Sequence, residues 1–302
     1  MKFINFCRRD APAIVHLGCI LKTGQLDITQ AITDGILRFP QVVHTIEDVL
    51  HIQDGLKTLE KAIQDLGDAP VGAQTIPFSG PGVILKSPIL NPQKVIGIGL
   101  NYRDHAEEAK IPIPKSPLIF GMYANAIIGP EEAIVIPPAT NQVDYEAELA
   151  VVIGTRARRV SVEQALDYVA GYSIMHDVSA RDIQFGDKQW TRGKSIDTFA
   201  PMGPCLVTCS ELGDGSGLAI ELRLNGERLQ KSNTSNLIFN TPALVSHISQ
   251  TMTLEPGDVI STGTPSGVGF VRTPPVFLKP GDIVEIEIEG IGVLRNPVAG
   301  SD

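Results

Sequence analysis

The chain has 302 residues, of which 43% are hydrophobic and 20% are charged, and its formal net charge at pH 7 is −9. A chain of this size can form one large domain or two smaller ones. The acidic balance and the lack of a Lys/Arg cluster argue against a nucleic-acid partner. No run of 18 apolar residues occurs, so the sequence predicts no membrane span. The four cysteines form no metal-binding pattern, and we expect reduced thiols in an intracellular protein, cytoplasmic or, in a eukaryote, mitochondrial.

Residues 1–90 are predicted to form a small α+β domain. Residues 45–65 carry apolar side chains with a 3.6-residue period, which predicts one helix. Thr45, followed three residues later by Asp48, predicts a capped N-terminus for this helix. Short apolar runs predict strands at residues 3–6, 14–21 and 26–28.

The pattern changes after a stretch rich in Pro and Gly at residues 70–92, which predicts a linker. In the second predicted domain, residues 91–302, short apolar runs alternate with Gly/Pro turns, which is typical of a β-rich roll. The whole chain is therefore predicted to be α+β and β-rich. The predicted strands of the second domain are 95–100, 133–136, 148–153, 218–224, 259–262 and 283–288, and its predicted helices are 103–109, 162–168, 180–186 and 241–250.

An acidic stretch precedes one of these predicted strands. Asp144, Glu146 and Glu148 alternate with uncharged residues and run into an apolar segment. Alternate side chains of a strand lie on one face, so these carboxylates are expected to lie close together. A hard divalent cation with oxygen ligands would neutralise them. The alternative is an edge strand with a solvated acidic face.

A second candidate site follows the predicted strand at residues 95–100. His105 and Glu108 would be neighbours on one face of the predicted helix. A carboxylate beside an imidazole raises its basicity, as a general base requires. The alternative is an ordinary His–Glu pair on the surface.

Two further segments carry polar groups whose roles the residues alone leave open. Asp177 follows a short apolar strand, where it could be a third metal ligand or only a helix cap, and the adjacent His176 is interpreted as structural. Lys194 lies in a polar loop, where it could bind a carboxylate or enolate or could simply be exposed. The turn at residues 262–267 could offer N–H and hydroxyl groups to an anion or could be a plain hairpin loop.

Together these segments resemble the fumarylacetoacetate hydrolase superfamily over about residues 93–296. The first 90 residues also resemble the small N-terminal domain of its two-domain members. The resemblance rests on the segments Gly99-Leu100-Asn101-Tyr102, Asp144-x-Glu146-x-Glu148-Leu149, His176-Asp177-Val178-Ser179-Ala180-Arg181-Asp182, Gly193-Lys194-Ser195-x-Asp197-Thr198-Phe199 and Thr262-Gly263-Thr264-Pro265-x-Gly267-Val268-Gly269.

The resemblance implies a mixed β-sandwich roll, a homodimer and a small 2-oxoacid as substrate. It implies that Mg²⁺ or Mn²⁺, with Ca²⁺ as a further option, is bound by Glu146, Glu148 and Asp177. It implies a catalytic role for His105, Glu108 and Lys194. It implies substrate contacts from Tyr102, Gln184, Lys194 and Thr264.

Two residues depart from the pattern of relatives that act on small 2-oxoacids, because Leu100 often corresponds to Arg and Met122 to Lys. The resemblance favours a hydrolase that cleaves a C–C bond of a 2,4-dioxoacid, such as an acylpyruvate, through an enolate held at the metal. The alternative reaction on the same site is tautomerisation or decarboxylation of oxaloacetate. A catalytically silent binding protein is a third hypothesis, and Met122 is its only support.

Overall fold

The computed structural model describes residues 1–21, 24–67, 82–108, 110 and 112–301. Most of the predicted linker, residues 70–81, lies outside the described residues, and part of its remainder forms a strand, β4. The strands of the N-terminal segment are β1 (Lys2–Arg8), β2 (Ala11–Leu21), β3 (Gly24–Asp27) and β4 (Val83–Lys86), and its helices are α1 (Ile28–Thr33), α2 (Ile46–Leu50) and α3 (Gly55–Leu66).

The single helix predicted at residues 45–65 is wrong, because the chain turns between α2 and α3. Asp54 has a left-handed backbone with φ of 53°, and a Cβ on Gly55 would lie 2.2 Å from the carbonyl oxygen of Val49. The turn therefore needs glycine. The predicted cap is confirmed, since Thr45 and Asp48 form a capping box at the start of α2.

The remaining elements follow the predicted β-rich pattern closely. The strands are β5 (Val95–Gly99), β6 (Leu118–Met122), β7 (Ile127–Ile128), β8 (Ile134–Ile136), β9 (Val143–Asp144), β10 (Ala147–Ile153), β11 (Val169–His176), β12 (Ser179–Ala180), β13 (Ala200–Thr208), β14 (Ala219–Leu224), β15 (Glu227–Asn233), β16 (Val259–Ser261), β17 (Ile283–Ile288) and β18 (Gly292–Gly300). The helices are α4 (Arg103–Glu108), α5 (Arg181–Asp187), α6 (Thr191–Lys194), α7 (Cys209–Leu212) and α8 (Thr241–Ser249), with a 3-10 helix instead of an α-helix at Ala165–Tyr168.

Two open sheets form the body of the described protein. The larger has 11 strands, with the order β3-β2-β1-β13-β11-β10-β16-β5-β6 and with β4 beside β1 and β7 beside β13. The smaller has the order β15-β14-β17-β18-β8. Apolar side chains from both sheets share one core. This mixed α+β, strand-rich architecture confirms the predicted fold class.

The N-terminal segment is continuous with the larger sheet, because β1 pairs antiparallel with β13. Its helices and strands also share a second core with residues of β10 and β13. The division into domains at 1–90 and 91–302 stays a prediction.

The strand directions bring the ends of four neighbouring strands together on one side of the larger sheet, where the strands begin or finish. β16 and β5 run parallel, whereas β10 is antiparallel to both β16 and β11. The C-terminal ends of β5, β11 and β16 therefore lie beside the N-terminal end of β10. The residues at these four strand ends, and just beyond them, form the candidate site.

Candidate metal centre and active site

The three carboxylates that the resemblance assigns to a metal lie together at these strand ends. Glu148 is in β10, Glu146 lies just before it, and Asp177 directly follows β11. Each offers an oxygen, and these three oxygens lie within 4.8 Å of one another. All three side chains are buried. The structure thus brings together Glu146 and Glu148, which one residue separates in the sequence, and Asp177, which lies about thirty residues further along the chain.

The acidic stretch is not the one continuous strand that its alternation predicts. β9 ends at Asp144 and pairs with β12, whereas β10 starts only at Ala147. Asp144 consequently leaves the cluster, and its carboxylate accepts a hydrogen bond from Arg181 Nε at 2.8 Å. The solvated edge strand is also excluded, because β10 lies between β11 and β16 and is buried throughout.

Two buried cations hold Glu146. Arg181 Nη2 donates to Oε1 at 2.6 Å, and Lys194 Nζ donates to Oε2 at 2.9 Å. Burial would raise the pKa of Glu146, but Lys194 and Arg181 lower that pKa to about 2. Lys194 also donates to Asp177 Oδ2 at 2.5 Å and is 2% exposed, so it is not a surface lysine.

Glu148 and Asp177 are less well compensated. Glu148 Oε2 accepts hydrogen bonds from Ser261 Oγ at 2.5 Å and from the Gly263 N–H at 2.8 Å. Nevertheless, burial and the charges of Asp177 and Glu146 raise the pKa of Glu148 well above its ordinary value. Burial raises the pKa of Asp177 to about 6, although Lys194 opposes this.

The donor set fits a hard divalent cation. Asp177 Oδ1 is buried and has no hydrogen-bond partner among the described residues, and leaving such a group unpaired is costly. Carboxylate oxygens are the ligands that Mg²⁺, Mn²⁺ and Ca²⁺ prefer. A cation among Glu146, Glu148 and Asp177 would pair the free oxygen and stabilise the ionised carboxylates, which opposes the rise in pKa that burial causes.

His105 and Glu108 lie one turn apart on α4, as their spacing predicts. His105 Nδ1 is 3.5 Å from Glu108 Oε2, which is an ion-pair distance and longer than a good hydrogen bond. Both oxygens of Glu108 accept the Gly267 N–H at 3.1 Å, which fixes the carboxylate. His105 is 7% exposed, so the pair is not an ordinary surface pair.

A cavity of about 140 Å³ is lined both by His105 and by the acidic cluster, which consists of Glu146, Glu148 and Asp177. It is well below the roughly 300–1,000 Å³ of sites for drug-sized ligands, which favours a small substrate. Its polar wall consists of His105, Glu146, Glu148, Asp177, Arg181, Gln184, Lys194 and Thr264. Its apolar wall consists of Ile98, Gly99, Leu100, Phe120, Phe185, Trp190 and Phe270.

Gln184 and Thr264 line this cavity, as their assigned substrate contacts require, but Tyr102 is not among its lining residues. Tyr102 is completely buried, and its substrate contact stays a prediction. Burial and the charge of Glu148 raise the pKa of Tyr102. Of the two departures from the family pattern, Leu100 lines the cavity, whereas Met122 is buried in the second core.

The comparisons with known proteins agree with this geometry. Residues 94–299 match the family described as fumarylacetoacetate (FAA) hydrolase, C-terminal. The chain belongs to the fumarylacetoacetate hydrolase family. It is 47% identical over 249 residues to the mitochondrial oxaloacetate tautomerase fahd2 of Xenopus laevis, covering 82% of this chain and 78% of that relative.

Solved structures of this family extend the similarity to the whole chain. Fumarylacetoacetate hydrolase from Exiguobacterium antarcticum is 33% identical with a TM-score of 0.80, and the match covers 100% of both chains. The 5-carboxymethyl-2-hydroxymuconate delta-isomerase from Mycobacterium smegmatis is 34% identical with a TM-score of 0.75, again over 100% of both. Hydrolases and isomerases thus share this fold.

In this family member, the sequence alone gave no role to Arg181 or to the aromatic side chains of the cavity's apolar wall. Arg181 lies in a segment that carries the resemblance, but its contacts depend on tertiary structure. The sequence held a weak local sign of these aromatic side chains, because glycine occupies two alternate positions of β5, Gly97 and Gly99. An added Cβ would lie 2.1 Å from Phe120 at Gly97 and 2.4 Å from Trp190 at Gly99, so both glycines make room for a ring.

Proposed function

We propose that this protein is a divalent-metal-dependent enzyme that interconverts the enol and keto forms of oxaloacetate. The observation that carries the proposal is that His105 and the three carboxylates of the acidic cluster line the same small cavity. A proton carrier and a site for a chelating 2-oxoacid are what tautomerisation needs. The activity for which the Xenopus laevis relative is named, oxaloacetate tautomerase, supports the same reaction.

The chain's own residues supply the proton transfer. When bound, the cation would polarise the 2-oxo group and orient the substrate. His105 presents Nδ1 to Glu108, which leaves Nε2 to take the proton from the enol oxygen and return one to C3, or the reverse. The Gly267 N–H keeps Glu108 in place. Lys194, buried and charged, stabilises negative charge that develops on the substrate oxygen.

The charges of the cavity suit an anionic substrate only when a cation is present. When all three carboxylates are ionised, as cation binding requires, Glu146, Glu148 and Asp177 carry three negative charges, and Lys194 offsets one of them. Arg181 is matched by the buried carboxylate of Asp144. A divalent ion would bring the cluster close to neutrality, whereas without it the walls would repel oxaloacetate.

Cleavage of a 2,4-dioxoacid remains a second candidate, because the His105–Glu108 pair could equally activate water. Decarboxylation of oxaloacetate is a further possibility for the same site. The silent binding protein loses its support, since Met122 does not line the cavity. We also propose a homodimer and, in a eukaryote, a mitochondrial location, which light scattering and fractionation would test.

A product-resolved assay separates these reactions. Purified protein is supplied with Mg²⁺, Mn²⁺ or a chelator, and enol absorbance, pyruvate and acetate are followed for oxaloacetate and acetylpyruvate. We expect metal-dependent loss of oxaloacetate enol with little pyruvate. His105→Asn, which keeps a side chain of similar shape, is expected to lower kcat about 10²- to 10⁴-fold. Acetate release from acetylpyruvate without oxaloacetate tautomerisation would favour the hydrolase instead.

A further inference from the structure

The carboxylate of Asp144 is the most heavily bonded acidic group beside the cavity. It is fully buried. Its Oδ1 accepts the N–H groups of Tyr145 at 2.8 Å and Gly269 at 2.7 Å. Its Oδ2 accepts the N–H of Phe270 at 3.1 Å and Nε of Arg181 at 2.8 Å. An amide could not replace it, because an Asn side chain would turn a donor toward two of these donors.

Through Arg181, Asp144 reaches the acidic cluster. The guanidinium uses Nε on Asp144, Nη2 on Glu146 at 2.6 Å and Nη1 on Gln184 at 2.9 Å. Its Cζ lies 4.5 Å from the centroid of the Phe270 ring. Because the guanidinium is planar and rigid, fixing Nε also fixes the directions of the two groups that hold Glu146 and Gln184.

Through its backbone partners, Asp144 also holds the part of the cavity wall that carries Phe270. Gly269 and Phe270 begin a 3-10 helix (Gly269–Val271), and Phe270 lines the cavity. The approach is close, since a Cβ on Gly269 would lie 2.5 Å from Asp144 Oδ1. Gly267, whose N–H holds Glu108, lies in the loop just before this 3-10 helix. One carboxylate therefore connects the metal-binding side of the cavity to the side that positions the His105–Glu108 pair.

We propose that Asp144 is a positioning residue that sets the geometry of the metal centre through Arg181 and Glu146. Its absence would let Arg181 rotate, so Glu146 would lose one of the two cations that hold it and keep only Lys194. Partners of this kind change metal affinity or activity about 10- to 100-fold when they are altered. The proposal rests on the proposed function only in taking Glu146 as a metal ligand.

The test compares Asp144→Asn with Asp258→Asn. Asp258 is a matched control, because it is equally buried, accepts the N–H groups of Lys94 and Glu255, and pairs with the Lys94 ammonium group. It directly precedes β16, at the end of that strand opposite the site. Both variants should unfold at a lower temperature than the wild type. Only Asp144→Asn is expected to weaken Mn²⁺ binding, by about 10- to 100-fold in calorimetric titration of folded protein.

Equal Mn²⁺ affinity of Asp144→Asn and the wild type, or equal weakening by Asp258→Asn, would overturn the proposal. If Asp144→Asn does not fold, Asp144→Glu decides, because it keeps the charge but displaces Arg181 by one methylene. Weaker Mn²⁺ binding by that variant supports the proposal, and unchanged binding refutes it. A wild type that binds Mn²⁺ without tautomerising oxaloacetate would refute the proposed function. The Mn²⁺ titration would still test the role of Asp144 in that case.

Discussion

Replacement of Glu148 by Gln should make the metal-free protein more stable while abolishing metal binding. The side chain keeps its size, and its amide oxygen can still accept hydrogen bonds from Ser261 and the Gly263 N–H. What disappears is a carboxyl whose pKa is raised by burial, Asp177 and Glu146. The variant therefore removes a carboxyl whose ionised form is disfavoured in the folded, metal-free protein, and this should stabilise the folded state.

The size of the gain follows from the proton that Glu148 must take up. Its ordinary pKa is 4.5, so keeping it protonated at pH 7 costs at most about 3 kcal/mol. A group with a raised folded pKa loses its contribution as pH increases. The advantage of Glu148→Gln should therefore vanish near pH 4.5 and grow toward pH 7, where it corresponds to roughly 5 °C in Tm.

Differential scanning calorimetry in chelator at pH 4.5 and pH 7 measures this directly. Glu146→Gln is the matched control, since it leaves Lys194 and Arg181 without their shared carboxylate and should cost about 3–5 kcal/mol. The two variants should thus shift Tm in opposite directions, although neither should gain Tm from Mn²⁺. A Glu148→Gln variant that is less stable than the wild type at pH 7, or a gain independent of pH, would refute the reasoning.

Three further predictions concern the same cavity. Mn²⁺ affinity should increase from pH 5 to pH 6 by up to about tenfold per displaced proton, because the pKa of Asp177 is raised to about 6; calorimetric titration with a flat profile would contradict this. Lys194→Met should lower Tm in chelator by leaving Asp177 without its cation and Glu146 with Arg181 alone, and added Mn²⁺ should reduce the loss, which a metal-independent loss would disprove. Gly99→Ala should displace Trp190, the only tryptophan, and so change its fluorescence and raise KM, whereas Gly121→Ala, with open space, should do neither; an unchanged spectrum in Gly99→Ala would count against the packing argument.

Local spacing sufficed for several features. The one-turn spacing of His105 and Glu108 and the capping pair Thr45–Asp48 depend on neighbouring residues alone, and both pairs are found together. The apolar runs separated by Gly and Pro likewise gave the β-rich class. Such features are predictable because the periods of helix and strand fix which nearby side chains share a face.

Local spacing was misleading where long-range contacts compete with it. The apolar period at residues 45–65 continues through a turn, and only the contact between Gly55 and Val49 shows why the helix must end. The alternation of Asp144, Glu146 and Glu148 gave three equivalent carboxylates. In the structure Asp144 is bonded elsewhere, to Arg181 and to backbone N–H groups, because the strand breaks after it.

The sequence by itself determined the chemical character of the site: hard oxygen donors, an imidazole beside a carboxylate, and a lysine. The family resemblance implied which carboxylates meet, whereas from the residues alone only the tertiary structure decided it. Antiparallel pairing places Ala147 opposite His176, and this brings Asp177 beside Glu146 and Glu148. Periodicity determines which face of a strand a residue occupies, but it carries no information about which strand lies alongside. For that reason the third carboxylate and the Arg181–Asp144 support depend on the folded chain.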